Sequence, residues 1–191
     1  MSGRFRCSTL LVFAVVMIFS GRGVAGLPEG LEALKKGDYV TASKELRPVA
    51  ERGDAEAQYR LGLMYEFGKG FAVDKAQSMA WLGKAAAQGH ASAELELGVI
   101  YATGDGVPQD NVKAVQWFRK AATQGNSTAQ YNLGLMYAKG SGVPRDDAQA
   151  IAWFRKAAEQ KDALACAKLG LMYARGQGVS RGSLRGLPRY H

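Results

Sequence analysis

A period of 36 residues constrains this chain more than any other feature. Leu61-Gly62 recurs as Leu97-Gly98, Leu133-Gly134 and Leu169-Gly170, and Tyr65 recurs as Tyr101, Tyr137 and Tyr173. The three tryptophans, Trp81, Trp117 and Trp153, keep the same spacing. Repetition at such a period marks units that cannot bury their apolar face alone and therefore stack on their neighbours. Each unit reads as two helices. In the first, residues 55 to 67, Ala57, Leu61, Met64 and Tyr65 share one face at helical spacing. The second starts at Asp74, Asp110 and Asp146, acceptors suited to the orphan amides of a helix start, and Gln77 and Gln149 complete a pattern like a capping box. Its apolar face is Met79, Leu82 and Ala86, then Val115, Phe118 and Ala122, then Ile151, Phe154 and Ala158.

The glycines separate into two kinds. Gly62 and its repeats lie inside a helix, where glycine costs about 1 kcal/mol relative to alanine. The close approach of another helix is the expected compensation. The pairs Gly68-Lys69-Gly70, Gly104-Asp105-Gly106 and Gly140-Ser141-Gly142 fall just past a helix end, where glycine supplies the left-handed residue that stops it. They are not phosphate loops, because no strand precedes them.

Ahead of the periodic region, Leu31, Ala33 and Leu34 form a short helical pattern, and residues 35 to 39 a turn. A second helix from Tyr39 to Arg52 has Val40, Leu46, Val49 and Ala50 as its apolar face. Residues 27–54 are thus an N-terminal helical half-repeat acting as a cap, followed by repeats at 55–90, 91–126 and 127–162 and a partial one at 163–179. Residues 180–191 carry two glycines, a proline and no apolar period, and read as a basic disordered tail. The last first-type helix is then left without its own partner. Three outcomes are open: it docks as an unusual cap, another chain covers it, or the reading frame is truncated or shifted.

The formal net charge of +8 suggests nucleic acid until it is located. Residues 1–25 hold Arg4, Arg6 and Arg22 and no acid, and residues 180–191 hold Arg181, Arg185 and Arg189 and no acid. The body between them is close to neutral, whereas a nucleic-acid binder needs a basic stripe on its folded module. Residues 1–25 read as a signal peptide: arginines, an apolar run from Leu10 to Phe19, then Gly23-Val24-Ala25 as a cleavage site. The run is short for a membrane-spanning helix, so no stable membrane insertion is expected after cleavage. Cys7 precedes the run and cannot be an acylated lipoprotein cysteine. Cys166 would be the one cysteine of the mature chain, packed among alanines rather than in a disulfide. His90 and His191 have no cysteine or carboxylate at metal-ligand spacing, and no nucleophile sits in a catalytic frame. No metal, cofactor or catalytic residue is assigned. Lys84, Arg119-Lys120 and Arg155-Lys156 suit the end of a helix dipole and read as a solvated face.

Residues 129–137, Ala-Gln-Tyr-Asn-Leu-Gly-Leu-Met-Tyr, with Gly140-Ser141-Gly142-Val143-Pro144 and Trp153-Phe154-Arg155-Lys156-Ala157-Ala158, resemble the Sel-1-like repeat, a relative of the tetratricopeptide repeat with a longer loop between its helices. The resemblance implies an all-α fold, an α/α superhelix whose first helices line the concave side. It implies a non-enzymatic, secreted or periplasmic scaffold that binds a protein or peptide. Tetratricopeptide groove positions fall on Glu56, Tyr59, Leu63, Glu66 and Phe67, on Ser92, Leu95, Val99, Ala102 and Thr103, and on Thr128, Tyr131, Leu135, Ala138 and Lys139. Leu63 and Leu135 recur and are expected in the core. The positions that vary on the fixed frame, Tyr59, Arg60, Glu66, Phe67, Glu96, Asn132 and Lys139, are the candidate partner-binding residues. Alternatives are a cell-wall-associated binding protein or enzyme, and a regulatory subunit completed by a partner. The open C-terminal repeat also offers a surface for a homodimer.

Overall fold

The computed structural model describes residues 26–177; the expected signal peptide and all but the first residues of the chain beyond α9 lie outside them. Nine helices and no strand occur among the described residues: α1 Leu27–Lys36, α2 Tyr39–Glu51, α3 Ala55–Phe67, α4 Lys75–Ala87, α5 Ala91–Thr103, α6 Asn111–Thr123, α7 Ser127–Lys139, α8 Asp147–Glu159 and α9 Ala163–Ala174. Each packs on the next in sequence, with the heaviest packing within the pairs α3/α4, α5/α6 and α7/α8. The fold is a helical solenoid of tandem hairpins.

Within each pair the helices meet at the internal glycine. A Cβ on Gly62 would lie 2.7 Å from Cγ of Leu82, on Gly98 2.5 Å from Cδ1 of Phe118, and on Gly134 2.6 Å from Cε1 of Phe154. Gly30 meets Leu46 in the same way, at 2.6 Å, so α1 and α2 pack like the later pairs despite their shorter connection. Leu46, Leu82 and Phe154 are fully buried and Phe118 almost so. Removing such a side chain from water contributes roughly 1.5–3 kcal/mol, more than the propensity cost of the glycine that admits it. Gly170 departs from the pattern, since among the described residues no neighbouring atom lies within 4 Å of its Cβ position.

The aspartates at 74, 110 and 146 cap α4, α6 and α8 by accepting the N–H three residues on. No return bond from Gln77 or Gln149 is found among the described residues, so the capping box is only half formed. The α3, α5 and α7 ends close on Gly68, Gly104 and Gly140. The second glycine of each loop has a packing role that its sequence did not reveal. A Cβ on Gly70 would strike the Tyr39 carbonyl, on Gly106 the Lys75 side chain, and on Gly142 the Asn111 carbonyl. The loop of one repeat thus rests on the first residue of the previous repeat's second helix.

Two expectations about the core are corrected. Val40 is 75% exposed, and Ala42 takes its place in the α2 face with Leu46, Val49 and Ala50. Leu63 and Leu135 are only half-buried. Their recurrence reflects contact at the edge of the core, where Leu135 packs against the α8/α9 cluster. Cys166 is partly buried against that same cluster.

Polar groups join successive repeats. Gln58 donates to the Ala50 carbonyl and accepts from Gln88, and Gln130 donates to the Ala122 carbonyl and accepts from Gln160. The middle repeat has Glu94 at this position, 4% exposed and accepting from Gln124 at 2.7 Å. Arg47, Arg119 and Arg155 each donate to the hydroxyl of the tyrosine 18 residues on, Tyr65, Tyr137 and Tyr173. Where Tyr101 would call for an arginine, the chain has Gly83.

These contacts make two predictions. Gly134→Ala is expected to cost about 2 kcal/mol by overpacking against Phe154, whereas Gly170→Ala, with open space, should gain up to about 1 kcal/mol from helix propensity. Equal losses in urea unfolding of the full chain would sink the packing explanation. The second concerns pH. Burial pushes the Glu94 carboxyl above its ordinary range, and the Gln124 hydrogen bond with the nearby Lys120 charge pulls it back only in part. A carboxyl raised by folding costs stability as pH rises from its unfolded value through its folded one. Glu94→Gln, which restores the glutamine of the neighbouring repeats, should therefore stabilise the protein by about 1 kcal/mol at pH 7, with the gain shrinking towards pH 4. Urea midpoints at the two pH values measure it.

Candidate functional site

The candidate residues all lie on first helices: Tyr59, Arg60, Glu66 and Phe67 on α3, Glu96 on α5, Asn132 and Lys139 on α7. The structure draws those of α3 and α5 into one connected surface. Glu56 joins the two helices, accepting from Arg60 Nε at 2.6 Å and from His90 Nε2 at 2.9 Å. His90 Nδ1 meanwhile accepts the Ala93 N–H as the N-cap of α5. Accepting at Nδ1 and donating at Nε2 assigns a neutral Nε2–H tautomer, by the hydrogen-bond network. His90 thus stands where Asp54, Asn126 and Asp162 cap α3, α7 and α9, and adds a contact to Glu56 that they cannot make.

The Tyr59 ring stacks on His90 at 4.7 Å, with the Arg60 guanidinium 5.3 Å from the ring centre. Burial and then the charge of Glu96 raise the Tyr59 hydroxyl above its ordinary value. Burial also raises the Glu96 carboxyl, with the negative charge of Glu66 adding to it. Glu56 behaves oppositely. Its burial would raise it, but the hydrogen bonds from His90 and Arg60 prevail and hold it below the usual carboxylate range.

At the end of α3, Glu66 is held by Lys75, the first residue of α4, and Lys75 also reaches Asp105 in the α5–α6 loop at 2.8 Å. The Glu66 side chain is only 11% exposed, and its Oε2 is buried without a hydrogen-bond partner. Phe67, the next residue, is 62% exposed. A pocket of about 230 Å³ opens beside it, lined by Leu34 and Tyr39 from the N-terminal hairpin, Arg60, Leu63, Met64 and Phe67 from α3, and Lys69. Asn132 is half-buried and Lys139 exposed; neither joins this surface.

The sequence left two groups of residues unremarked. The carboxylate partner of His90 lies 34 positions earlier in the chain, far outside any metal-ligand spacing. Lys84, Lys120 and Lys156 were assigned to a solvated face, yet each ammonium lies about 4 Å from the ring centre of Trp81, Trp117 or Trp153 three residues before it. The spacing of three on a helix was a usable signal for this contact. Among the described residues no group of three or more histidines, cysteines or carboxylates could hold a metal ion, and no helix is long and apolar enough to cross a membrane.

Comparison with known proteins agrees with this architecture. The Sel1 repeat pattern matches residues 55–90, 91–126, 127–162 and 163–186. The chain is similar in structure to a protective antigen of uropathogenic Escherichia coli strains with an SLR fold, at 41% identity and a TM-score of 0.79. That match covers 82% of this chain and 34% of the antigen, so the chain spans about a third of that protein's length. A Sel1 repeat protein from Oxalobacter formigenes is 35% identical with a TM-score of 0.76, over 80% of this chain and 63% of its own. The cysteine-rich protein B of Helicobacter pylori, at 23% identity and a TM-score of 0.53 over 78% of this chain and all of its own, shares the fold. No curated protein gives a significant match. Four consecutive matched repeats, and the helix pairs that they form, place the chain in the Sel1 repeat family.

Proposed function

We propose that this protein is a secreted or periplasmic scaffold that binds a protein or peptide on the concave face formed by its first helices. Sel1 repeat proteins are in general protein-interaction scaffolds. The observation that carries the finer reading is Phe67, a large exposed aromatic beside a pocket. Such a residue costs free energy in water and gives a partner a well-defined anchor. At about 230 Å³ the pocket falls below the roughly 300–1,000 Å³ of small-molecule sites and suits a single side chain. Tyr59, Arg60, Glu66 and Glu96 lie around that contact, while Asn132 and Lys139 stand apart from it on the first helix of a later repeat. Residues 1–25 act as the signal peptide that delivers the chain across the membrane.

Photo-crosslinking from the face itself tests this. A photoreactive amino acid placed at position 67 or 139 in the exported full chain should give one discrete adduct, and the same group at exposed Glu159 on α8 should not. Equal labelling from α8, or turnover of a cell-wall fragment without a stable adduct, would reject the scaffold reading in favour of the cell-wall one.

A second reading rests on α9. Leu164 and Leu171 are exposed, and among the described residues nothing fills the slot at Gly170 as the partner side chains fill those of the other pairs. A partner that completes this face makes the protein a regulatory subunit, and a second copy makes it a homodimer. Gel filtration decides the latter: a dimer that Leu171→Asp dissociates supports it, and a monomer in both forms removes it.

A further inference from the structure

We propose that the pocket beside Phe67 takes a large apolar side chain of a foreign peptide, with an aspartate or glutamate next to it in sequence held by Lys69. The inference rests on the concave-face reading above and names the chemistry of its partner. The pocket floor is apolar, formed by Leu34, Leu63 and Met64, with Tyr39 and Phe67 as aromatic walls. That makes the anchor aliphatic or aromatic rather than polar.

The rim is cationic. The Lys69 ammonium sits 5.3 Å from the Tyr39 ring centre and 5.9 Å from that of Phe67, and no carboxylate pairs with it among the described residues. It is therefore fixed over the aromatic walls with its charge uncompensated. Arg60, the other cation lining the pocket, is already neutralised by Glu56. Lys75 is likewise occupied, by Glu66 and Asp105. One charge at this rim thus awaits a counterion, and it stands at the mouth of the apolar pocket.

The carboxylates Glu66 on α3 and Glu96 on α5 bear on where the acid sits. The negative charge of Glu66 disfavours a charged Glu96, and no cation pairs with Glu96 among the described residues. An acidic residue of the partner is therefore drawn to Lys69 and away from the Glu66–Glu96 pair. Charge also excludes both terminal segments of this chain as the occupant, since residues 1–25 and 180–191 each hold three arginines and no acid. They would bring like charge to Lys69. The occupant is another protein's segment, apolar and acidic together.

Random decapeptides displayed on phage, panned against the immobilised full chain, provide the test. Enriched peptides should carry a large apolar residue adjacent to Asp or Glu. In fluorescence-anisotropy titrations of such a synthetic peptide, Lys69→Glu should weaken binding by about tenfold or more, while Lys69→Arg stays within about threefold. Phe67→Ala should also cost about tenfold. Replacing the peptide's acid with lysine should restore binding to the Lys69→Glu protein and not to the unaltered one. Both altered positions are exposed, so circular dichroism of the variants should match the parent. Peptides enriched without an acid beside the apolar residue, or indifferent to Lys69→Glu, overturn the proposal. Should those peptides respond to Lys139→Glu instead, the concave face still binds and only this pocket assignment fails. If no peptide is enriched above the bare surface, both readings fall.

Discussion

The contact between an internal glycine of one helix and a leucine or phenylalanine of the next sets the geometry of every hairpin in this protein. At Gly30, Gly62, Gly98 and Gly134 a single Cβ would close the space that the partner side chain fills. The helices can approach only there, so the crossing point is fixed by composition rather than by the loops. Everything else is hung on that crossing. The glycine-rich loop lies back on the preceding repeat, the arginine of the second helix reaches the tyrosine of the next first helix, and the first helices are presented side by side. The candidate binding face exists because α3 and α5 are held in this register.

Much of the scaffold was legible in the sequence because its determinants are local and repeated. Aspartate before a helix, glycine after one, and an apolar face at helical spacing act over a few residues. Repetition then averages out the exceptions. Errors arose where a position had two candidates of similar character. Val40 and Ala42 are both apolar near the start of α2, and only the packing against the neighbouring helices decides that the smaller one goes inward. Leu63 and Leu135 show that recurrence marks any contact the repeat always makes, including one at the rim of the core.

The site was less legible because its contacts join residues remote in sequence. Nothing local predicts that Glu56 meets His90, or that Lys75 bridges Glu66 and Asp105. Position on the first helices could be read from the family frame; the pairing could not. Phe67 was legible as a departure from Thr103 and Lys139 at the same position, whereas the contribution of Leu34 and Tyr39 to its pocket required the N-terminal hairpin to be folded against α3. The buried glutamines were missed for a different reason. A polar residue on an otherwise apolar face gives no sign of being buried until its partner, here a glutamine 30 residues on in the same repeat, is seen.

The departures from the repeat gather at one place. Between α4 and α5 the arginine is replaced by Gly83, the buried glutamine by Glu94 and the capping aspartate or asparagine by His90. In a linear stack the free energy is a sum of unit and nearest-neighbour terms, so one weak interface lowers the cooperativity of the whole array. The α4–α5 interface is then where such a stack would divide into two blocks, with Glu56–His90 and Lys75–Asp105 as the polar ties that still hold them. The first block is α1 to α4, which holds the Phe67 pocket, and the second begins at α5. The seam falls between Tyr59 on α3 and Glu96 on α5, so a partner reaching across both helices would act as a splint.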